Sequence, residues 1–184
     1  RVDQRDLPLD NSYDPYGTGS GVVVYIVDTG IRASHNEYSS RVAAGTDTVD
    51  NDSIPEDCHG HGTHVAGTAV GTQYGVAKGA TVVGVRVLDC SGSGSYSGVI
   101  GGLEWIAANH GTNHPGKPAV ANMSLGGPAS ATMDAAVQSL SNSGVTVVVA
   151  AGNSSAPASG YSPARATSAV TGGSTTSTDG RSYF

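Results

Sequence analysis

Between Gly21 and Gly30 the chain reads Val22-Val23-Val24-Tyr25-Ile26-Val27, with no charged or amide position until Asp28. A continuous apolar run rich in β-branched residues and bounded by glycines predicts a strand buried on both faces. Residues 1–21 are polar and turn-rich, and residues 34–59 read as a polar loop with Asp47, Asp50, Asp52, Glu56 and Asp57. Residues 60–71 are small and glycine-rich. Each interior glycine disfavours a helix by about 1 kcal/mol, yet Val65, Ala66, Ala69 and Val70 fall on one helical face. The pattern predicts a buried helix packed close to its neighbours. Residues 81–88 predict a strand and residues 97–109 a helix, with Val99, Ile100, Leu103, Ile106 and Ala107 at helical intervals. Residues 120–124 predict a strand, 130–142 a helix with Gly144 at its C-cap, 145–150 a strand and 167–171 a further strand.

Apolar strands alternating with helices of about a dozen residues indicate an α/β fold, a mostly parallel sheet covered on both faces. Right-handed crossovers are expected to connect the strands. No linker or repeat divides the chain, so one domain is expected. In such sheets functional groups gather at the carboxyl ends of strands. That rule selects Asp28, residues 91–95, residues 124–127 and residues 151–153.

Composition removes several function classes. Of 184 residues only 13% are charged, and one Trp and one Phe leave the core to Val, Ala, Ile and Leu. The net charge is −6 and the only lysines are Lys78 and Lys117, which argues against a nucleic-acid surface. No apolar run is long enough to cross a bilayer. Cys58 and Cys90 are one staple or two buried thiols. The chain starts at Arg1 without Met, as a mature or excised chain would, and residues 178–184 read as a turn entering a strand before the text stops. A missing part is expected.

Asp28 closes an apolar strand, where a carboxylate needs hydrogen bonds or a partner. It reads as a structural turn acid or as the acid that orients a histidine. His61 and His64 lie three apart and would share a helical face. They could form a metal pair, although no third ligand is evident. Alternatively His61 is a base oriented by Asp28, which would need a serine. Ser124 precedes Leu125-Gly126-Gly127, but Asn122 stands where a nucleophile elbow has glycine, so it reads as a loop serine. Gly17, Gly19 and Gly21 precede a strand rather than follow one, which is wrong for a dinucleotide. Gly92, Ser93 and Gly94 form a flexible turn or a backbone edge for an extended peptide. Asn153 is a turn residue or a donor to a developing oxyanion. Asn122-Met123-Ser124 and Asn153-Ser154-Ser155 match glycosylation acceptors, the first discounted as buried.

Taken together, Val27-Asp28-Thr29-Gly30, residues 60–68 around His61-Gly62-Thr63-His64, residues 122–127 and Ala150-Ala151-Gly152-Asn153 carry a resemblance across the whole chain. The sequence resembles the subtilisin-like serine proteases, in particular the proteinase K-like branch with its extracellular aqualysin-type enzymes. The resemblance implies a three-layer α/β/α fold whose carboxyl-terminal third is absent, so that residues 1–184 are a partial peptidase domain. It implies Asp28 as the triad acid, His61 as general base and acid, and Asn153 as oxyanion donor, with His64 not catalytic. Ser124, Leu125 and Gly126 would bind the substrate strand on one side, and Gly92, Ser93 and Gly94 on the other. Ala151 and Gly152 would wall the first specificity pocket, and Tyr96 would stand beside a more distant one. Main-chain binding implies broad specificity, with a weak preference for apolar or aromatic side chains.

The resemblance also implies a Cys58–Cys90 disulfide, adding about 3 to 4 kcal/mol by chain entropy, and an extracellular location. It implies structural calcium held by Asp3, Gln4, Asp10 and Ser12, with one family aspartate missing before Arg1. A second calcium position at Thr167 and Ala169 is not claimed, because its aspartate would fall beyond Phe184. No organic cofactor, nucleic acid or membrane is expected, and the enzyme is expected to be a monomer acting on proteins and peptides. The family's Gly-Thr-Ser-Met-Ala nucleophile segment does not occur here. The expectation is a serine endopeptidase whose serine lies outside this sequence, with the 184-residue piece inactive and poorly stable alone. The alternatives are a non-catalytic peptide-binding or inhibitory relative and a metal-dependent hydrolase using His61 and His64.

Overall fold

All six residues of the first strand, β1 (Val23–Asp28), are buried, as the unbroken apolar character of the first five requires. The computed structural model describes residues 2–184. After β1 come β2 (Val42–Asp47), α1 (His61–Val70), β3 (Thr81–Arg86), α2 (Tyr96–Asn113) and β4 (Ala119–Met123). Then follow β5 (Gly127–Pro128), α3 (Ala131–Asn142), β6 (Val145–Ala150), β7 (Tyr161–Ser162) and β8 (Val170–Gly172). Six strands form one sheet in the order β2-β3-β1-β4-β6-β8, every neighbouring pair parallel. β5 and β7 make a small antiparallel ribbon outside it.

Successive side chains of a strand point to opposite faces, and the two cores follow that alternation. Val23, Tyr25 and Val27 join Val83, Val85, Ala121, Met123, Val147 and Val149 beneath α2 and α3, which supply Leu103, Ile106, Met133, Val137 and Leu140. Val24, Ile26 and Val82 face the other way, onto Ala66 and Val70 of α1. The result is the three-layer α/β/α arrangement.

The structure corrects the loop reading of residues 34–59. It contains β2 and a 3-10 turn at Ser39–Arg41. β2 is short in apolar residues because it is an edge strand, with only Gly45 and Asp47 of its six positions buried. Its Asp47 is buried opposite Arg86, and Arg86 Nη1 donates to Asp47 Oδ2 and Asp50 Oδ2, both at 2.6 Å. Burial pulls the Arg86 guanidinium down, but Asp50 and Asp47 hold it above its ordinary value. Arg41, in the 3-10 turn, donates to the Val70 carbonyl at 2.6 Å and so closes the end of α1.

Other boundaries shift slightly. α2 starts at Tyr96 because Ser95 caps it, accepting the Gly98 N–H at 3.1 Å. It runs to Asn113, past the predicted end. At that end the Tyr25 phenol lies 2.9 Å from His110 Nδ1, and His110 Nε2 donates to the Lys117 carbonyl at 2.8 Å. Burial pushes the Tyr25 phenol up to about 12. The last predicted strand is displaced to β8.

Candidate active site

The carboxyl end of β1 delivers Asp28 into the protein with no exposed surface. Its Oδ1 accepts the Thr29 N–H at 2.7 Å and lies 2.7 Å from His61 Nδ1. Asp28 Oδ2 is buried without a hydrogen-bond partner among the described residues. His61 is the first residue of α1, and its side chain is 44% exposed. A carboxylate accepts only, so the bond places the imidazole proton on Nδ1 and leaves Nε2 of the neutral ring as a base. The glycine beside His61 makes this approach possible. A Cβ on Gly62 would stand 2.1 Å from the Gly30 carbonyl oxygen and 3.2 Å from the Asp28 Cβ.

His61 stands in the lining of a cleft of about 570 Å³. One wall is the turn after β3, with Gly92, Ser93 and Gly94, and the other is Ser124, Leu125 and Gly126 after β4. Asp89 holds the first wall: its Oδ1 accepts from the Ser91 hydroxyl at 2.6 Å and the Ser91 and Ser93 N–H groups at 2.8 and 3.1 Å. Those donors, the Ser91 hydroxyl first, keep its carboxyl below the ordinary value. Tyr96 closes one side, donating its hydroxyl to the Pro128 carbonyl. Burial, with the Asp134 charge, raises its phenol above the ordinary value.

The chain as a whole has counterparts among known proteins. Residues 19–184 match the subtilase family. This chain belongs to that family. It is 58% identical to alkaline serine exoprotease A of Vibrio alginolyticus over all of this chain and 34% of that protein. It is also 58% identical to the extracellular serine proteinase of Thermus sp. (strain Rt41A), over all of this chain and 44% of that one. The crystal structure of a cold adapted subtilisin-like serine proteinase superposes with a TM-score of 0.95 at 56% identity, covering 100% of this chain and 66% of the other. The fold is therefore subtilisin-like, and the chain spans less than half the length of these two relatives.

In this subtilase chain Ala151, Gly152 and Asn153 do not line the cleft. They follow β6, whose register sets Val149 beside Met123, so they run one strand over from Ser124. The Ser124 hydroxyl accepts from the Asn122 side-chain amide at 2.9 Å. A disulfide joins Cys58 and Cys90, tying the chain before His61 to the chain before Gly92. Behind it Arg86 Nη2 lies 3.5 Å from the Cys58 sulfur and 3.8 Å from the Cys90 sulfur.

The amino-terminal group converges in part. Gln4 Nε2 donates to Asp10 Oδ1 and, at 2.9 Å, to the Ser12 carbonyl, while Gln4 Oε1 accepts the Asp10 N–H at 2.9 Å. Asp3 Oδ2 instead accepts the Asp14 N–H at 2.8 Å. Among the described residues no three His, Cys, Asp or Glu side chains gather as a metal cage, around His61 and His64 or elsewhere.

Sequence reading missed five cleft residues: Thr29, His59, Leu88, Val99 and Pro128. His59 lies two before His61, and its ring accepts the His61 N–H at 3.3 Å. Leu88 closes the predicted strand 81–88, a visible position whose direction depends on where β3 ends.

Proposed function

We propose that this chain is the amino-terminal part of a secreted serine endopeptidase. The observation that carries the reading is the 2.7 Å Asp28–His61 contact at the head of a cleft with two backbone walls. The nucleophilic serine comes from polypeptide outside these 184 residues. Among the described residues no serine hydroxyl is hydrogen-bonded to His61. His61 Nε2 takes the proton of that serine and returns it to the leaving amine. Asp28 holds the tautomer and stabilises the imidazolium that forms. Asn153 donates to the oxyanion of the tetrahedral intermediate. A substrate strand lies between Gly92, Ser93 and Gly94 on one side and Ser124, Leu125 and Gly126 on the other. Ala151 and Gly152 wall the pocket for the side chain before the scissile bond, and Tyr96 bounds a more distant one. Main-chain pairing leaves side-chain selectivity broad.

The longer protein tests this reading. A serine-reactive phosphonate should label it, and His61→Ala should abolish labelling and peptide cleavage. Asp28→Asn should lower kcat by about 10⁴-fold, since it sets the wrong tautomer. Cleavage by the purified 184-residue chain that depends on His61 would overturn the assignment of the serine. The two intact walls favour a second reading for that chain, peptide binding without cleavage. The disulfide and the relative named as an extracellular serine proteinase support secretion.

A structural calcium ion is part of the proposal. Asp10 Oδ1 and the Ser12 carbonyl converge on one Gln4 amide, and Asp3 adds a carboxylate nearby in the chain; an all-oxygen set suits a hard cation. Chelation should lower the melting temperature by an amount that grows with the calcium concentration removed. Asp10→Asn should erase that difference.

A further inference from the structure

The helix that carries the base begins at His61 itself, so its first turn decides where the imidazole stands. A helix leaves its first N–H groups without intrahelical partners. Gly60, in the left-handed region at φ 104°, supplies no side-chain cap. The His59 ring takes the His61 N–H and the Thr29 hydroxyl takes the Gly62 N–H; the acceptor for Thr63 is Asp57, which lies outside the cleft. Its Oδ1 accepts the Gly60 N–H at 2.8 Å and the His59 N–H at 2.9 Å. Its Oδ2 accepts the Thr63 N–H at 2.9 Å and the Thr63 hydroxyl at 2.6 Å. The Gly62 N–H donates to the Thr29 hydroxyl at 2.9 Å, and that hydroxyl donates to Asp57 Oδ1, also at 2.9 Å.

Thr29 follows Asp28 and bonds it through its N–H. One carboxylate therefore holds both sides of the pair: the strand end that bears Asp28 and the helix start that bears His61. Burial raises the Asp57 carboxyl, but donors from Gly60, Thr63 and His59 outweigh it and keep it ionised below the ordinary value. A negative charge at a helix amino terminus is also favoured by the helix dipole.

We infer that Asp57 is a positioning residue, whose carboxylate sets the His61 imidazole against Asp28 without touching substrate. The inference rests on the proposed serine-protease reading for its kinetic readout only. Asp57→Asn keeps the size but turns an amide NH2 toward donors. A small misplacement of reacting groups can lower the rate by about 10²-fold.

The test uses the longer protein that carries the serine. Asp57→Asn is expected to lower kcat by about 10- to 100-fold with KM changed less than about twofold. Val137→Ala, buried in the opposite layer, serves as the stability control and should lower the melting temperature while leaving kcat in place. Thr63→Val should lower kcat in the same direction and Thr63→Ser should restore it, which keeps the test open if Asp57→Asn does not fold. The Nδ1 proton of His61, followed by nuclear magnetic resonance, should move upfield or broaden in Asp57→Asn. An unchanged kcat in Asp57→Asn, an equal loss in Val137→Ala, or no rescue by Thr63→Ser overturns the inference. If the unaltered protein does not react with the phosphonate, the protease reading has failed instead. The Nδ1 resonance then decides the inference alone, and an unmoved resonance overturns it.

Discussion

The two faces of the central sheet differ. Under α2 and α3 the inward residues of β1, β3, β4 and β6 are buried, from Val23 through Val85 and Met123 to Val149, with only Thr81 at the start of β3 half-buried. On the α1 face burial is complete over β3 and β1, at Val82, Val24 and Ile26, and then stops. Val120, Asn122, Val148 and Ala150 are half-exposed there, and Thr146 is exposed. The strand residues are alike on the two faces; what differs is the covering layer. Parallel sheets occur almost only with both faces covered. The half-covered stretch lies over β4 and β6, the two strands whose ends carry Ser124 and Asn153. Asp28 and His61 thus sit where α1 packs, and Ser124 and Asn153 follow the strands that are half-covered on that face.

Substitutions on the two faces sharpen or break this contrast. The largest effect is expected at Gly62, where α1 presses on β1. Gly62→Ala drives a Cβ to 2.1 Å from the Gly30 oxygen and should cost about 3 kcal/mol, the upper part of the overpacking range, read by urea unfolding. Asp47→Ala comes next. It breaks the buried Arg86 pair beside β2 and should cost about 3 kcal/mol, because Asp50 alone, on the surface, holds the guanidinium weakly. Val147→Ala, on the covered face, should cost about 2 kcal/mol, whereas Val148→Ala one residue on should cost about 0.5 kcal/mol. Equal costs for these two neighbours would break the comparison.

The smallest expected effect is a pH dependence at the polar end of the α2 layer. Burial, then His110 and Lys117, lower the His114 pKa below 6.5, and its ring also meets Tyr25 edge-on. A histidine held neutral by the fold binds fewer protons than in the unfolded chain. Its contribution is present above the unfolded pKa of about 6.5 and is lost as pH falls through the lower folded value. The melting temperature should decline on acidification below that point, and His114→Gln should flatten the decline.

Legibility in the sequence followed how local each cause was. β1 was visible because burial on both faces leaves no polar position in the run. α1 was visible through Val65, Ala66, Ala69 and Val70 despite its glycines, of which Gly62 is required by its close approach to Gly30 and Gly67 by no contact. β2 was invisible. Val42-Ala43-Ala44 is too short an apolar signal, and the strand exists because β3 offers an edge to pair with. Asp28 and His61 were recognisable as types at a strand end and a helix start. Asp57 was counted among loop acids, since nothing local shows that one carboxylate takes N–H groups on both sides of the start of the next helix, from His59, Gly60 and Thr63.

The sequence by itself determined the alternation of strands and helices, the parallel sheet and the family, because periodicity and motif are properties of neighbouring residues. It also supplied the residue types of an acid and a base. Only the tertiary structure decided that Asp28 Oδ1 meets His61 Nδ1 and that Cys58 bonds Cys90 rather than both remaining thiols. Only the structure placed the Gly92 turn opposite Ser124, Leu125 and Gly126. Those are contacts between segments far apart in the chain, fixed by strand order and register, which no local pattern of residues encodes.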